Sequence, residues 1–165
     1  MKKTFFSVAI LATLLFCVQK ASAQELQGVE INGVIWATTN VGASNPEDYG
    51  DYFNWEEAKN ACPKGWRLPT RKEFKFLIDA GSEWATLNYN NGRKFDNGNK
   101  TFFLPAAGSS DDSNGTVGGV DIYGIYWSST EGSINGAYNL MLTSEKAYLN
   151  HMYKNYVFSV RCVKE

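Results

Sequence analysis

The side chains in this sequence that could do chemistry are few. There is one histidine, His151, and three cysteines, Cys17, Cys62 and Cys162. Nucleophilic catalysis needs a base held beside its nucleophile, and His151 lies in a Tyr-rich segment with nothing to mark it as that base. Two runs offer oxygen ligands that calcium accepts, Asp96-Asn97-Gly98-Asn99 and Asp111-Asp112-Ser113-Asn114-Gly115. Neither places a Glu at the last position of a twelve-residue EF-hand loop, and the same residue types build ordinary turns. No metal and no cofactor is therefore expected. Calcium is compatible with these runs but has no motif behind it.

The denser constellation is aromatic and amide. Tyr138, Asn139, Tyr148, Asn150, His151, Tyr153, Asn155 and Tyr156 crowd the last third of the chain, and Trp84 stands alone in a polar stretch. Tyrosine supplies rigid amphipathic rings and asparagine adaptable hydrogen bonds, a pairing suited to recognition. Rings stack on sugar faces and amides pair with hydroxyls, so a carbohydrate or protein ligand fits. Tyrosine also favours strands. Two roles stay open for these residues, a ligand surface and strand packing on the core. Trp36, Trp55, Trp66 and Trp127 fall within helix, strand or motif patterns and read as packing residues. Arg67 and Arg161, flanked by apolar residues, call for buried acids or carbonyls, with Asp51 and Glu73 as candidate acids.

The elements that must position these groups come after an export signal. Lys2 and Lys3 precede an apolar run over 5–18, and Ala21-Ser22-Ala23 supplies the small residues of a cleavage site. Residues 1–23 read as a signal peptide and 24–165 as a single domain. The rival reading is acylation of Cys17, where Phe16 is larger than a lipobox prefers. The run is too short to span a membrane, and no later segment is long and apolar enough. Periplasm, cell surface and medium are all compatible destinations. A formal net charge of −1 over 165 residues removes the basic footprint of a nucleic-acid binder. Cys62 and Cys162, the cysteines left after cleavage, meet an oxidising compartment and are expected to form a disulfide. It would close a loop of about 100 residues, stabilising by roughly 4.7 kcal/mol in the chain-entropy account.

Past residue 28 the pattern reads strand, strand, helix, helix, then strands. Asn32-Gly33 predicts a hairpin turn. Asn54 with Glu57, and Thr70 with Glu73, predict two capping boxes. The first helix would carry Trp55, Ala58 and Cys62 on one face, and the second Phe74, Leu77 and Ile78. Residues 82–124 read as loop, rich in Asn, Gly and Ser, apart from the apolar Phe102-Phe103-Leu104. Strands follow over 126–128, 137–143, 147–152 and 157–163. Tyr138, Leu140 and Leu142 share one face in this reading, and Phe158, Val160 and Cys162 another.

The helix sequence Trp55-Glu56-Glu57-Ala58-Lys59-Asn60-Ala61-Cys62, followed by Gly65 and Leu68, resembles the first-helix signature of C-type lectin-like domains. In that family the helix Cys pairs with one in the last strand, where Cys162 stands. Four further motifs are more specific: Cys62-Pro63-Lys64-Gly65-Trp66-Arg67-Leu68-Pro69-Thr70, Phe103-Leu104-Pro105-Ala106-Ala107-Gly108, Tyr126-Trp127-Ser128-Ser129-Thr130 and Ser159-Val160-Arg161-Cys162-Val163. Together, over about 29–163, they resemble the Fibrobacter succinogenes major paralogous domain family. That resemblance implies an exported bacterial domain with an α+β, C-type lectin-like fold: two helices packed on short, mostly antiparallel sheets with long loops. The calcium-lectin tripeptides are missing. Asn45-Pro46-Glu47 precedes the first helix, and Trp127-Ser128-Ser129 offers no carboxylate. The expected function is a non-catalytic binding module at the cell envelope, presenting Trp84 and the Tyr/Asn strands. The alternative is a structural or adhesion component of a surface appendage. Formylglycine-generating enzymes share the lectin-like fold but depend on additional cysteines, so catalysis is not expected.

Overall fold

The computed structural model describes residues 26–96, 98–110 and 116–165. The signal peptide read over 1–23, its rival reading of acylation at Cys17, and the Asp/Asn run at 111–115 lie outside them. The first hairpin joins β1 (Gly28–Ile31) to β2 (Val34–Ala37) through Asn32 and Gly33, at φ 48° and 78°. Positive φ at both central positions matches the turn to the strand twist, as the Asn-Gly pair predicts. Next come β3 (Tyr52–Phe53), α1 (Trp55–Ala58), β4 (Trp66–Arg67) and α2 (Arg71–Asp79). Both predicted capping boxes are present. The Glu57 N–H donates to Asn54 Oδ1 at 3.0 Å while the Asn54 N–H donates to Glu57 Oε2 at 3.0 Å. A capping box announces where a helix starts, not how far it runs. α1 stops at Ala58, which leaves Cys62 beyond the helix.

A three-stranded antiparallel sheet occupies much of the expected loop: β5 (Ser82–Leu87), β6 (Asn90–Asp96) and β7 (Thr101–Pro105). The β5–β6 turn is Asn88-Tyr89, at φ 46° and 74°, and not Asn90-Asn91-Gly92. Gly92 is a strand residue because a Cβ there would lie 2.3 Å from the Leu104 carbonyl oxygen. Close backbone approach, rather than a turn, explains it. Short β8 (Ser109–Ser110) and β9 (Val117–Gly118) pair with each other. A meander of β10 (Tyr123–Ser133), β11 (Gly136–Thr143) and β12 (Ala147–Tyr153) follows. The predicted closing strand is divided. β13 (Phe158–Ser159) runs parallel to β10 in a sheet ordered β12-β11-β10-β13-β3, and β14 (Val163–Lys164) lies between β2 and β4 in another.

The α+β, C-type lectin-like expectation is therefore overturned. Among the described residues the chain is mostly β, with fourteen strands in four sheets against helices of four and nine residues. Two packed helices do not organise the molecule.

The core has two halves on opposite faces of the five-stranded sheet. One gathers Trp36, Phe74, Leu77, Phe95, Phe102, Leu140 and Leu142, with Trp36 stacked on Phe74 at 5.5 Å between centroids. The other gathers Trp55, Ala58, Trp127, Phe158, Val160 and Cys162. The predicted disulfide Cys62–Cys162 is present, with Cα atoms 5.9 Å apart and a sequence separation of 100. Arg67 meets its candidate acid Glu73 in a bidentate pair at 2.9 and 2.6 Å. Arg161 is 0 % exposed and meets no acid among the described residues. Its guanidinium donates to the Ala37 carbonyl at 2.9 Å and to Asn40 Oδ1 at 2.8 Å. Burial pushes that group down to about 10, which still leaves it charged at neutral pH.

Candidate functional site

The β10–β11–β12 meander displays most of the Tyr/Asn constellation. Its ladder is unbroken between β11 and β12, and sets Tyr138 opposite His151, Asn139 opposite Asn150, and Met141 opposite Tyr148. Successive strand residues point to opposite faces, so the predicted group divides in two. Tyr138, His151 and Tyr153 share the face of Leu140 and Leu142. Asn139, Tyr148 and Asn150 share the face of Met141, Met152 and Trp127, which belongs to the second core half. Tyr156 comes to that half from the segment before β13, stacked on Phe158 at 5.9 Å. Asn155 follows β12 and lines a shallow depression of about 350 Å³ with Ile134, Asn135, Tyr153 and Lys154. Trp84 is half-buried on β5, opposite Arg93 in the three-stranded sheet, and belongs to neither face.

On the first face the His151 ring lies against two glycines. A Cβ on Gly132 would come within 2.2 Å of His151 Cδ2, and one on Gly136 within 2.3 Å of its Cε1. Tyr138 and the imidazole meet edge to face at 5.5 Å, and the Arg71 guanidinium lies over the Tyr138 ring at 4.2 Å. The row is packed by shape and by cation–π attraction. No nucleophile is hydrogen-bonded to His151 among the described residues.

The second face differs in one respect. Asn139 is 0 % exposed, and neither its Oδ1 nor its Nδ2 has a hydrogen-bond partner. Each such atom costs about 1–3 kcal/mol, and native structures contain few of them. Its neighbours along and across the ladder are Ala137, Met141, Trp127 and Asn150. Trp127 is fixed, its indole N–H donating to the Phe53 carbonyl at 2.8 Å and its ring packed on Phe158 at 4.4 Å. Asn150 and Met141 meet in an amide-to-sulfur contact of 3.8 Å, and Met141 also packs against the second core half. Half-exposed Tyr148 and Met152 complete the surface. A floor with one unused donor and one unused acceptor thus lies beneath unbranched thioethers, which repack at low cost.

Sequence reasoning named Asn139, Tyr148 and Asn150 but missed Met141, Met152 and Arg71. Period-two alternation along β11 and β12 would have separated the faces and added the two methionines. No local signal ties Arg71, at the start of α2, to Tyr138. The Asp96 run forms a turn, with the Gly98 N–H donating to Asp96 Oδ1 at 2.6 Å. Among the described residues no group of three His, Cys, Asp or Glu side chains could hold a metal ion, and no helix is long and apolar enough to cross a membrane.

A model of the Fibrobacter succinogenes major domain matches residues 16–164, a longer span than the motifs cover. No curated protein and no solved structure matches the chain.

Proposed function

We propose, for a chain that belongs to the Fibrobacter succinogenes major domain family, the function of an exported, non-catalytic binding module. Its ligand surface is the Asn139 face of the meander, and its ligand is a carbohydrate or a protein. The observation that carries the reading is the buried, unpartnered carboxamide of Asn139. A position serving packing alone would be apolar, and natural proteins give up stability where function requires it. A ligand that displaces Met141 and Asn150 meets a donor and an acceptor together, between Tyr148 and Trp127. A vicinal diol or a peptide residue's own N–H and C=O matches that pair. The non-catalytic part of the reading is supported by the disulfide, which consumes the thiols of Cys62 and Cys162, and by the packed surroundings of His151. Export is supported by the signal-peptide pattern and the same disulfide. The reading needs no cofactor.

Glycan-array binding and a pull-down from envelope proteins test the proposal, each run beside Asn139→Leu. Saturable binding that the substitution weakens at least tenfold is expected. No saturable binding in either format, or binding untouched by the substitution, would overturn it.

A further inference from the structure

Five buried side-chain polar atoms among the described residues have no hydrogen-bond partner, and two of them belong to Asn139. The other three are Trp36 Nε1, Ser159 Oγ and Arg161 Nη2. The indole and guanidinium nitrogens can only donate, and a serine hydroxyl can donate. All three lie in the core half across the sheet from Asn139. Phe158, Val160 and Cys162 point into the Asn139 half. Alternation turns Ser159 and Arg161 the other way, where the Arg161 guanidinium lies over Phe102 at 5.1 Å. What that half lacks is an acceptor.

Asn40 and Tyr126 join the two residues. Asn40 Oδ1 accepts from Arg161 Nε at 2.8 Å, and Asn40 Nδ2 donates to the Tyr126 hydroxyl at 3.4 Å. Tyr126 on β10 and Tyr52 on β3 stand opposite Ser159, one on each side of β13. Their hydroxyls donate to the Pro105 and Ala107 carbonyls, at 2.6 and 2.5 Å. Strand spacing sets the roots of the two rings about 10 Å apart, and the short serine covers only the floor between them. Ser159, Arg161 and Tyr126 are all 0 % exposed. The charge is uncompensated too. Arg161 stays protonated at neutral pH, and burial pushes the neighbouring Tyr126 phenol up, so that it stays neutral. A buried cation calls for a countercharge as well as acceptors, and Arg161 has two neutral acceptors, the Ala37 carbonyl and Asn40 Oδ1.

We propose that the slot between Tyr126 and Tyr52 binds a halide ion such as chloride, held by Arg161 Nη2 and the Ser159 hydroxyl. A monatomic anion supplies acceptor and countercharge together, where a water molecule supplies the acceptor alone. The enclosure of the donors excludes a carboxylate or a phosphate. The sheet separates this site from the Asn139 face, so neither reading depends on the other.

Thermal melts of the wild-type protein in sodium chloride, sodium bromide and sodium gluconate at equal ionic strength test this. Chloride and bromide should raise Tm with saturation, as ligands of the folded state do. Gluconate, too large to be enclosed, should not. Arg161→Met keeps a long side chain without the charge, and its Tm should be the same in all three salts. Crystals of the wild-type protein grown in bromide answer without a variant, through an anomalous peak in contact with Arg161 Nη2. A wild-type Tm that follows ionic strength alone, an Arg161→Met variant as halide-sensitive as wild type, or a water molecule and no bromide against Arg161 Nη2 would each overturn the proposal.

Discussion

Replacing Asn139 by leucine separates what the amide does for the fold from what it does for a ligand. Both polar atoms of the side chain are buried without a partner, and each costs about 1–3 kcal/mol. Leucine keeps the branch at Cγ and removes both. Its larger volume strains the site by about 1 kcal/mol or more, because Trp127 is fixed on one side. Met141 can adjust on the other. The net expectation is a stabilisation of about 2 kcal/mol, or roughly 4–8 °C in Tm for a domain of this size. Urea unfolding followed by tryptophan fluorescence reads it, with an unchanged slope showing that the unfolded state is the same. Alongside it, ligand binding should weaken at least tenfold. A variant less stable than wild type by 1 kcal/mol at equal slope would show that the carboxamide is satisfied in solution, and the reasoning that places the site there would fail.

Three further outcomes follow from the architecture. Replacing Cys62 and Cys162 together by alanine should cost about 4.7 kcal/mol, from a separation of 100 residues, and roughly 9–19 °C in a calorimetric melt. The Glu73 carboxyl is buried enough to be pushed up, but hydrogen bonds from Arg67 and Thr70 outweigh that and hold it below the usual carboxylate range. A lowered folded value stabilises above the unfolded value and is lost as pH falls through the folded one. Glu73→Gln should thus cost about 1 kcal/mol at pH 7, discounted because Arg67 is partly exposed, and less as urea melts move to lower pH. Tyr89 sits at φ 74° with 96 % of its surface exposed. Tyr89→Gly should raise stability by about 1 kcal/mol, since the left-handed conformation burdens tyrosine and not glycine.

Local chemistry made part of this molecule readable in advance. Asn32-Gly33 defines its hairpin, the Asn54 and Thr70 boxes start their helices, and Tyr138, Leu140 and Leu142 share a face of β11 as alternation requires. Cys62 and Cys162 pair, as expected. What was not readable depends on distant partners. Gly92 looks like a turn residue until Leu104 is known to lie against it. Tyr89 lies in a stretch that reads as loop, and only the pairing of β5 with β6 makes it the turn of a hairpin. Val157 to Val163 reads as one strand, and only the positions of β10 and β2 divide it between two sheets. The candidate site was legible as a composition, Tyr with Asn, but its geometry was not. One-residue alternation sends Asn139 and Tyr138 to opposite sides, and the pairing of β11 with β12 decides which neighbours each keeps.

The Cys62–Cys162 bridge also has a consequence for a chain exposed to proteases. Two highly exposed tips, Tyr89 at 96 % and Ile134 at 89 % exposure, both fall between the two bridged residues in sequence. A single cut at either tip leaves two pieces still joined through sulfur, and with β14 still seated between β2 and β4. Nicking would open the polypeptide without releasing a fragment, so the molecule would remain one body after damage that would split an unbridged relative.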